Sequence, residues 1–122
     1  MYSEKIMNEF YNVTRYDVIK GASGVGKITC DVGSEIIKIY IKVENDKIVE
    51  AKFQTFGGVV AIAASSVAAN SIEGMTISQA KKFDANRIYE VLGDIPEHKM
   101  YIVSLVVAAV LGAVDSYQSK AV

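Results

Sequence analysis

Two neighbouring segments in which apolar and polar residues alternate constrain the fold more than any other feature of the sequence. The first is EIIKIYIKV, residues 35–43, whose predicted inward side chains are Ile37, Ile39, Ile41 and Val43. The second is IVEAKFQTF, residues 48–56, whose predicted inward side chains are Val49, Ala51 and Phe53. Strict alternation over this length is typical of half-buried β-strands. The ENDK stretch between them is a turn signal, so the two segments predict an antiparallel hairpin.

The residues before the hairpin predict a helix, a loop and a further strand. SEKIMNEFYN repeats its apolar residues at helical spacing, which predicts a short amphipathic helix capped by Ser3. TRYDVIKGASG, residues 14–24, is irregular and rich in glycine, which predicts a loop. GKITCD, residues 26–31, is suited to pair with the hairpin, so we predict a third antiparallel strand there.

Beyond the hairpin the sequence changes from strand signals to helix signals. The first predicted helix, 58–74, is rich in small residues and is closed by Gly74. A second helical segment is opened by a capping box of Thr76 and Gln79. Two further helices are predicted at 84–93, with Asp84 as N-cap, and at about 100–119. Because the strands come first and the helices follow, we predict an α+β fold: a three-stranded antiparallel sheet with helices packed on one face. We find no repeat or linker, so residues 1–122 are predicted to form a single domain.

The composition is that of a globular protein and argues against several classes of function. The chain has 122 residues and a net charge of −1, so it has no overall field that would favour nucleic acid or an acidic membrane. The single cysteine, Cys30, and the lack of a signal-peptide pattern predict a reducing, cytoplasmic setting. The longest apolar run, Met100–Val114, is too short to span a bilayer and predicts a buried helix.

The stretch GASGVGKIT, residues 21–29, comes close to a phosphate-binding P-loop. That motif needs a hydroxyl directly after Lys27, but Ile28 stands there and Thr29 comes one residue late. It also needs a helix after the lysine, so that backbone amides meet the phosphates, whereas the residues after Lys27 predict a strand. We therefore predict a flexible, glycine-rich entry to the hairpin instead of a nucleotide site.

The sequence contains no arrangement that predicts an enzyme. No Ser/His/Asp set or pair of neighbouring carboxylates can be placed in the predicted elements. The only histidine, His98, has no evident catalytic partner.

Six segments follow one another in an order that matches a known family. YSEKIM and NVTR open the chain where the family has Y-S-x-K-V and N-P-R. The other matching segments are EIIKIYIKV, AKFQTFGGVVAIAASS, GMTISQA and IPEHKMYIVSLVVAAV. In these motifs the chain resembles the U-type iron–sulfur cluster scaffold family, which includes IscU and the N-terminal domain of NifU. The resemblance covers nearly the whole chain and implies the IscU/NifU-like α+β fold.

The resemblance also shows which family ligands are missing. The family holds its cluster or metal on three cysteines and a nearby Asp, sometimes with a His beside the third cysteine. Here the second cysteine position falls on Gly58 and the third on Ile102, and Tyr101 stands at the position of the His. Glycine and isoleucine have no side chain that binds a metal.

The first cysteine position has two alternatives. An ungapped alignment places the family's Cys-Gly-Asp on residues 33–35, so that Gly33 replaces the thiolate and Glu35 is the carboxylate. If the loop instead carries three extra residues, Cys30 is the first ligand. We favour the ungapped alignment because the strand match runs straight into it. The candidate metal ligands are therefore Cys30 and Glu35.

What the resemblance implies about function is iron–sulfur cluster assembly. It implies a cluster, or iron or zinc, as the bound group, and a cysteine desulfurase or other cluster-assembly proteins as partners. An iron–sulfur cluster generally needs about four ligands, so one chain with Cys30 and Glu35 is expected to be degenerate at the ligand site. The alternative is a cluster-free interaction or regulatory subunit that uses the scaffold fold.

The final helix departs from the family in a further way. It is apolar on nearly every side, with Val106, Val107 and Leu111 at positions where the family is polar. A helix that is apolar all round is usually buried all round. Two explanations stay open: one face packs against another chain or an apolar ligand, which would give a homo-oligomer in the first case, or the domain has a larger buried core.

Overall fold

Three strands and five helices make up the described part of the chain. The computed structural model describes residues 2–31 and 33–120. The strands are β1 (Gly24–Thr29), β2 (Ile36–Glu44) and β3 (Lys47–Phe56). The helices are α1 (Glu4–Tyr11), α2 (Val59–Ile72), α3 (Ile77–Ala80), α4 (Ala85–Leu92) and α5 (Met100–Lys120), and a short 3-10 turn, Glu97–Lys99, leads into α5. This architecture confirms the predicted fold class.

The strands form one antiparallel sheet in the order β1-β2-β3. The inward side chains of β2 are Ile37, Ile39 and Ile41, all fully buried as predicted. On β3 the prediction for Val49 is wrong, because Val49 is 42% exposed and Ile48 is buried instead. Lys42 pairs with Glu50 and Val43 pairs with Ile48, so Val49 is left over in a β-bulge that breaks the two-residue period.

Side-chain caps fix where several helices begin. The Ser3 hydroxyl accepts a hydrogen bond from the Ile6 amide at 3.2 Å at the start of α1. At α3, Thr76 and Gln79 form the predicted capping box, and at α4 the Asp84 carboxylate accepts from the Asn86 amide at 3.0 Å. The observed α2 and α4 lie within the predicted ranges 58–74 and 84–93.

The sheet takes in Gly24 and Val25 at the end of the glycine-rich stretch, whereas residues 14–23 lie outside the strands as predicted. β1 begins at Gly24 and ends at Thr29, two residues earlier at each end than predicted. The reason is the packing of α5 directly on this strand. A methyl group on Gly24 would overlap the carbonyl oxygen of Ala113, and one on Gly26 would lie 2.6 Å from the Ala113 nitrogen. Only glycine allows the two backbones to approach so closely.

This contact, which we call the β1–α5 seam (Gly24 and Gly26 against Ala109 and Ala113), also decides the question of the P-loop. Lys27 lies inside β1 and pairs with Lys38 of β2. The segment after Lys27 is strand and then turn, so no helix N-terminus is presented there to a phosphate.

The final helix is less buried than an all-round apolar pattern would require. Val106 is fully buried, whereas Val107 and Leu111 are half-buried. The segment Glu97–Lys120 is long and apolar enough to cross a membrane by length and composition alone. The apolar run Met100–Val114 is therefore too short to span a bilayer, as expected, but the helix that contains it is not. Its buried side packs on β1, β2 and α2, as the core helix of a globular domain does.

The β3 edge is partly covered by backbone hydrogen bonds, and the β1 edge makes one hydrogen bond to α5. At β3, the Arg15 carbonyl accepts from the Phe53 amide at 3.0 Å, and the Asp17 amide donates to the Phe53 carbonyl at 3.0 Å. At β1, the Val25 amide donates to the Ser116 hydroxyl at 3.2 Å. The segment around Arg15 is held in turn by an ion pair of 2.6 Å with Glu73.

Candidate functional site

The turn between β1 and β2 carries both candidate metal ligands. The Cys30 amide donates to the Glu35 carbonyl at 2.9 Å, and the Ser34 amide donates to the Cys30 carbonyl at 3.0 Å. Ser34 has φ of 63°, a left-handed conformation that turns the chain back into β2. Cys30 and Glu35 therefore face each other across the mouth of this hairpin through their backbones.

The Glu35 side chain is buried in a slot between two glycines. Only 5% of Glu35 is exposed. Gly33 belongs to the β1–β2 turn and Gly57 to the turn between β3 and α2. A methyl group on Gly33 would overlap the Glu35 Oε1 atom, and one on Gly57 would lie 3.2 Å from the Glu35 Cγ atom. The absence of side chains at these two positions gives the carboxylate its space.

Tyr101, in the first turn of α5, closes this slot. Its hydroxyl donates to the Glu35 Oε2 atom at 2.8 Å. The hydrogen bond to Glu35, then partial burial and the charge of Glu35, raise the pKa of Tyr101 above its ordinary value of 10.0. The phenol is therefore a neutral hydrogen-bond donor at neutral pH.

The second carboxylate oxygen of Glu35 is the unusual atom of the site. Glu35 Oε1 is buried and has no hydrogen-bond partner among the described residues. Leaving a buried acceptor unpaired costs roughly 1–3 kcal/mol. The Tyr101 hydrogen bond and the packing against Gly33 and Gly57 therefore have to hold the side chain in place against this cost.

The other positions that the family resemblance singled out lie in different surroundings. Cys30 is a half-buried free thiol in the same turn as Glu35. Gly58 is the residue before α2, and a methyl group there would meet nothing within 4 Å. Ile102 is 1% exposed and belongs to the hydrophobic core, and His98 lies exposed in the 3-10 turn. The metal-ligand roles of Cys30 and Glu35 stay predictions.

The residues present do not fit an iron–sulfur cluster within one chain. Within residues 2–31 and 33–120, no group of three or more His, Cys, Asp or Glu side chains is placed to hold a metal ion. The sequence has one cysteine, and clusters are held mainly by thiolates. One oxygen of Glu35 already accepts a hydrogen bond from Tyr101, which further reduces the donor set.

Sequence reasoning found Glu35 but missed its partner. Tyr101 and Glu35 are 66 positions apart, and no local pattern links them. The available signal was the ungapped alignment, which places Glu35 on the family's Asp and Tyr101 on its His and so predicts a paired change within one site.

The fold and the site together define a class of protein. It is the small α+β scaffold domain in which the β1–β2 turn, the β3–α2 turn and the start of α5 meet. The model of the NifU-like N-terminal domain matches residues 1–122. The chain belongs to this family, as its resemblance to IscU and NifU predicted.

Relatives and solved structures agree with this assignment. The chain is 38% identical over 120 residues to iron–sulfur cluster assembly scaffold protein IscU 1 of Archaeoglobus fulgidus, covering 98% of this chain and 78% of that protein. It is 37% identical to the nitrogen fixation protein NifU of Nostoc, covering 96% of this chain but 42% of NifU. The N-terminal NifU-like structure from Brucella abortus has a TM-score of 0.75 at 16% identity, covering 97% of this chain and 94% of that one. At that identity the match concerns the fold alone.

Proposed function

We propose that this protein acts in iron–sulfur cluster assembly as a scaffold-type family member whose own ligand set is incomplete. The proposal is supported by family membership along the whole chain and by relatives named as assembly scaffolds. The observation that carries it is Glu35, a buried carboxylate kept where the two turns and α5 meet. A buried carboxylate with an unpaired oxygen is costly, so its retention at this place points to a role of the site.

In this proposal iron or a cluster is cargo, and most of its ligands come from outside the single chain. Each chain offers the Cys30 thiol and, if it swings out, the Glu35 carboxylate. Two chains would supply two thiolates, and an assembly partner such as a cysteine desulfurase would supply the rest or the sulfur itself. The predicted cytoplasmic setting belongs to the same proposal, because a free thiol such as Cys30 persists in reducing compartments. We expect no catalysis by the chain alone.

A second candidate function is a cluster-free interaction or regulatory subunit. The hydrogen bond between Tyr101 and Glu35 favours it, because that contact occupies the site without any metal. Such a subunit would bind the same assembly partners and would carry neither iron nor cluster.

Anaerobic reconstitution with iron and sulfide tests the two candidates side by side. Metal analysis and the visible absorption spectrum report cluster formation, and calorimetric titration with a cysteine desulfurase reports partner binding. Iron with sulfide-to-iron charge-transfer bands, lost in C30S, supports cargo held between chains. Desulfurase binding without iron supports the regulatory subunit. A folded protein that binds neither iron nor desulfurase contradicts the assembly function.

A further inference from the structure

We propose that Tyr101 and Gly33 together lock the Glu35 side chain into the ligand position, so that the site is closed to metal ions and is not reopened by cysteines alone. The functional consequence of this inference rests on the proposed function. Its physical content, the arrangement of Gly33, Glu35 and Tyr101, does not. It makes Tyr101 a positioning residue that decides whether the site is open.

The first support is the position of Glu35 between three different elements. Its backbone belongs to the β1–β2 turn, and its Cγ atom lies beside Gly57 in the turn between β3 and α2. Its Oε2 atom accepts a hydrogen bond from Tyr101 of α5. The side chain thus fills the space where the elements converge. A ligand entering this space has to displace it.

The second support is the dependence of this arrangement on Gly33. A methyl group on Gly33 would overlap Glu35 Oε1 and would lie 2.5 Å from the Tyr101 hydroxyl. Both distances are too short for non-bonded atoms, so a side chain at position 33 makes the ends of the Glu35 and Tyr101 side chains shift. Glycine at position 33 therefore favours the observed arrangement of Glu35 and Tyr101.

The third support comes from the neighbouring ligand position, where the opposite holds. A methyl group on Gly58 would meet nothing within 4 Å. The loss of a side chain at Gly58 has left open space, whereas the space beside Gly33 is taken. The closure is thus local to Glu35 and Tyr101 and is not a general collapse of the site.

The lock also explains why Tyr101 and Glu35 are poor candidates for a replacement metal site. Tyr101 donates a hydrogen bond to Glu35 and so stays a neutral phenol, which carries no charge to attract a cation. Glu35 Oε1 is buried against Gly33 and turned away from solvent. A cation would have to enter the buried space beside Gly33 before it could reach Oε1.

The experiment is a thermal-unfolding cycle on G33A, E35A and the double variant, with G58A as the matched control. We expect G33A to lower Tm by about 5 °C or more, which corresponds to roughly 1 kcal/mol in a domain of this size. In the E35A background the same change should lower Tm by about 1 °C or less. A G33A effect of equal size in both backgrounds would overturn the lock. The cycle needs no iron, so it can fail or succeed independently of the desulfurase titration.

A metal-loading comparison then tests the consequence. The first variant, G33C/G58C/I102C, keeps Glu35 and Tyr101. The second, the partner variant, carries the same three substitutions together with E35D and Y101H. We expect at least tenfold more bound iron per chain in the partner variant after anaerobic loading. Equal loading of the two variants contradicts the proposal. If the multiple variants do not fold, G33C alone decides: its thiol should react with a disulfide reagent at least tenfold faster with Y101F than without it, and equal rates contradict the lock.

Discussion

Two regions of this molecule depend on glycine, and they do so for different reasons. In the β1–α5 seam, Gly24 and Gly26 face the backbone of α5, and a methyl group would overlap the carbonyl oxygens of Ala113 and Ala109. In the candidate site, Gly33 faces the end of the Glu35 side chain.

The two regions differ in how well they can relax around an added side chain. A backbone carbonyl inside a helix cannot move without breaking the helix, so the seam has no way to relax. A side chain with three rotatable bonds can swing into solvent, so the site can relax at moderate cost. Substitutions in the seam should therefore affect folding, and substitutions in the site should affect what the folded protein binds.

The largest effect is expected for G26A in the seam. The added methyl group would overlap the Ala109 carbonyl oxygen, so α5 has to move away from the sheet. Overpacking of this kind costs about 3 kcal/mol or more. Urea denaturation measures it, and V25A, which changes an exposed neighbour, is the control. A loss for G26A below about 1 kcal/mol would show that the seam can relax.

A smaller loss is expected for Y101F in the site. The substitution removes the hydrogen bond to Glu35 Oε2, and because Tyr101 is 39% exposed, water compensates part of the loss. We expect urea denaturation to show a loss well below that of G26A, because solvent screens an exposed hydrogen bond. Y11F, which changes a tyrosine that is 74% exposed, should have an effect near zero. Equal effects of the two variants would mean that the hydrogen bond to Glu35 contributes nothing.

A small gain is expected for G58S at the start of α2. Gly58 has an extended conformation, no side-chain cap and open space around a new side chain. A serine hydroxyl at this N-cap position should accept a hydrogen bond from an amide of the first turn and add a few tenths of a kcal/mol, roughly the difference between Ser and Gly caps. G58A is the control, since alanine fills the space without a cap. Destabilisation by G58S would show that the space around position 58 does not accommodate a side chain.

The smallest effect is a pH dependence at the alkaline end. The pKa of Tyr101 is raised in the folded state, first by its hydrogen bond to Glu35. The folded state therefore holds this proton more tightly than the unfolded chain. Its contribution to stability is fully present below about pH 10, the ordinary tyrosine pKa, and is lost as the pH rises above that value. Denaturation at pH 9 and pH 11 should show a smaller loss in Y101F than in the natural sequence; equal losses would exclude Tyr101 as the cause.

The parts of the fold that sequence predicts are those set by local patterns. The buried isoleucines of β2 and the capping box of Thr76 and Gln79 follow from two- and three-residue periods, and the structure has both. Val49 was misassigned because it is the extra residue of a bulge in β3, opposite Lys42 and Val43, and strict alternation in the sequence gives no sign of that bulge.

The contacts that sequence does not predict are those between distant elements. Gly24 and Val25 were not predicted as strand because glycine disfavours strands, whereas the packing of α5 on Gly24 and Gly26 makes them part of β1. The pair of Glu35 and Tyr101 was not predicted for the same reason. Its distance along the chain is closed only by tertiary packing. The fold was therefore easier to predict than the state of the site.

The partly covered sheet edges affect how this protein can meet other chains. With the Arg15–Asp17 segment along β3 and Ser116 at β1, neither outer strand presents a full row of free amides and carbonyls. Unprotected strands invite runaway strand-by-strand polymerisation and fibre growth. Here the β3 edge in particular offers few free groups for such pairing.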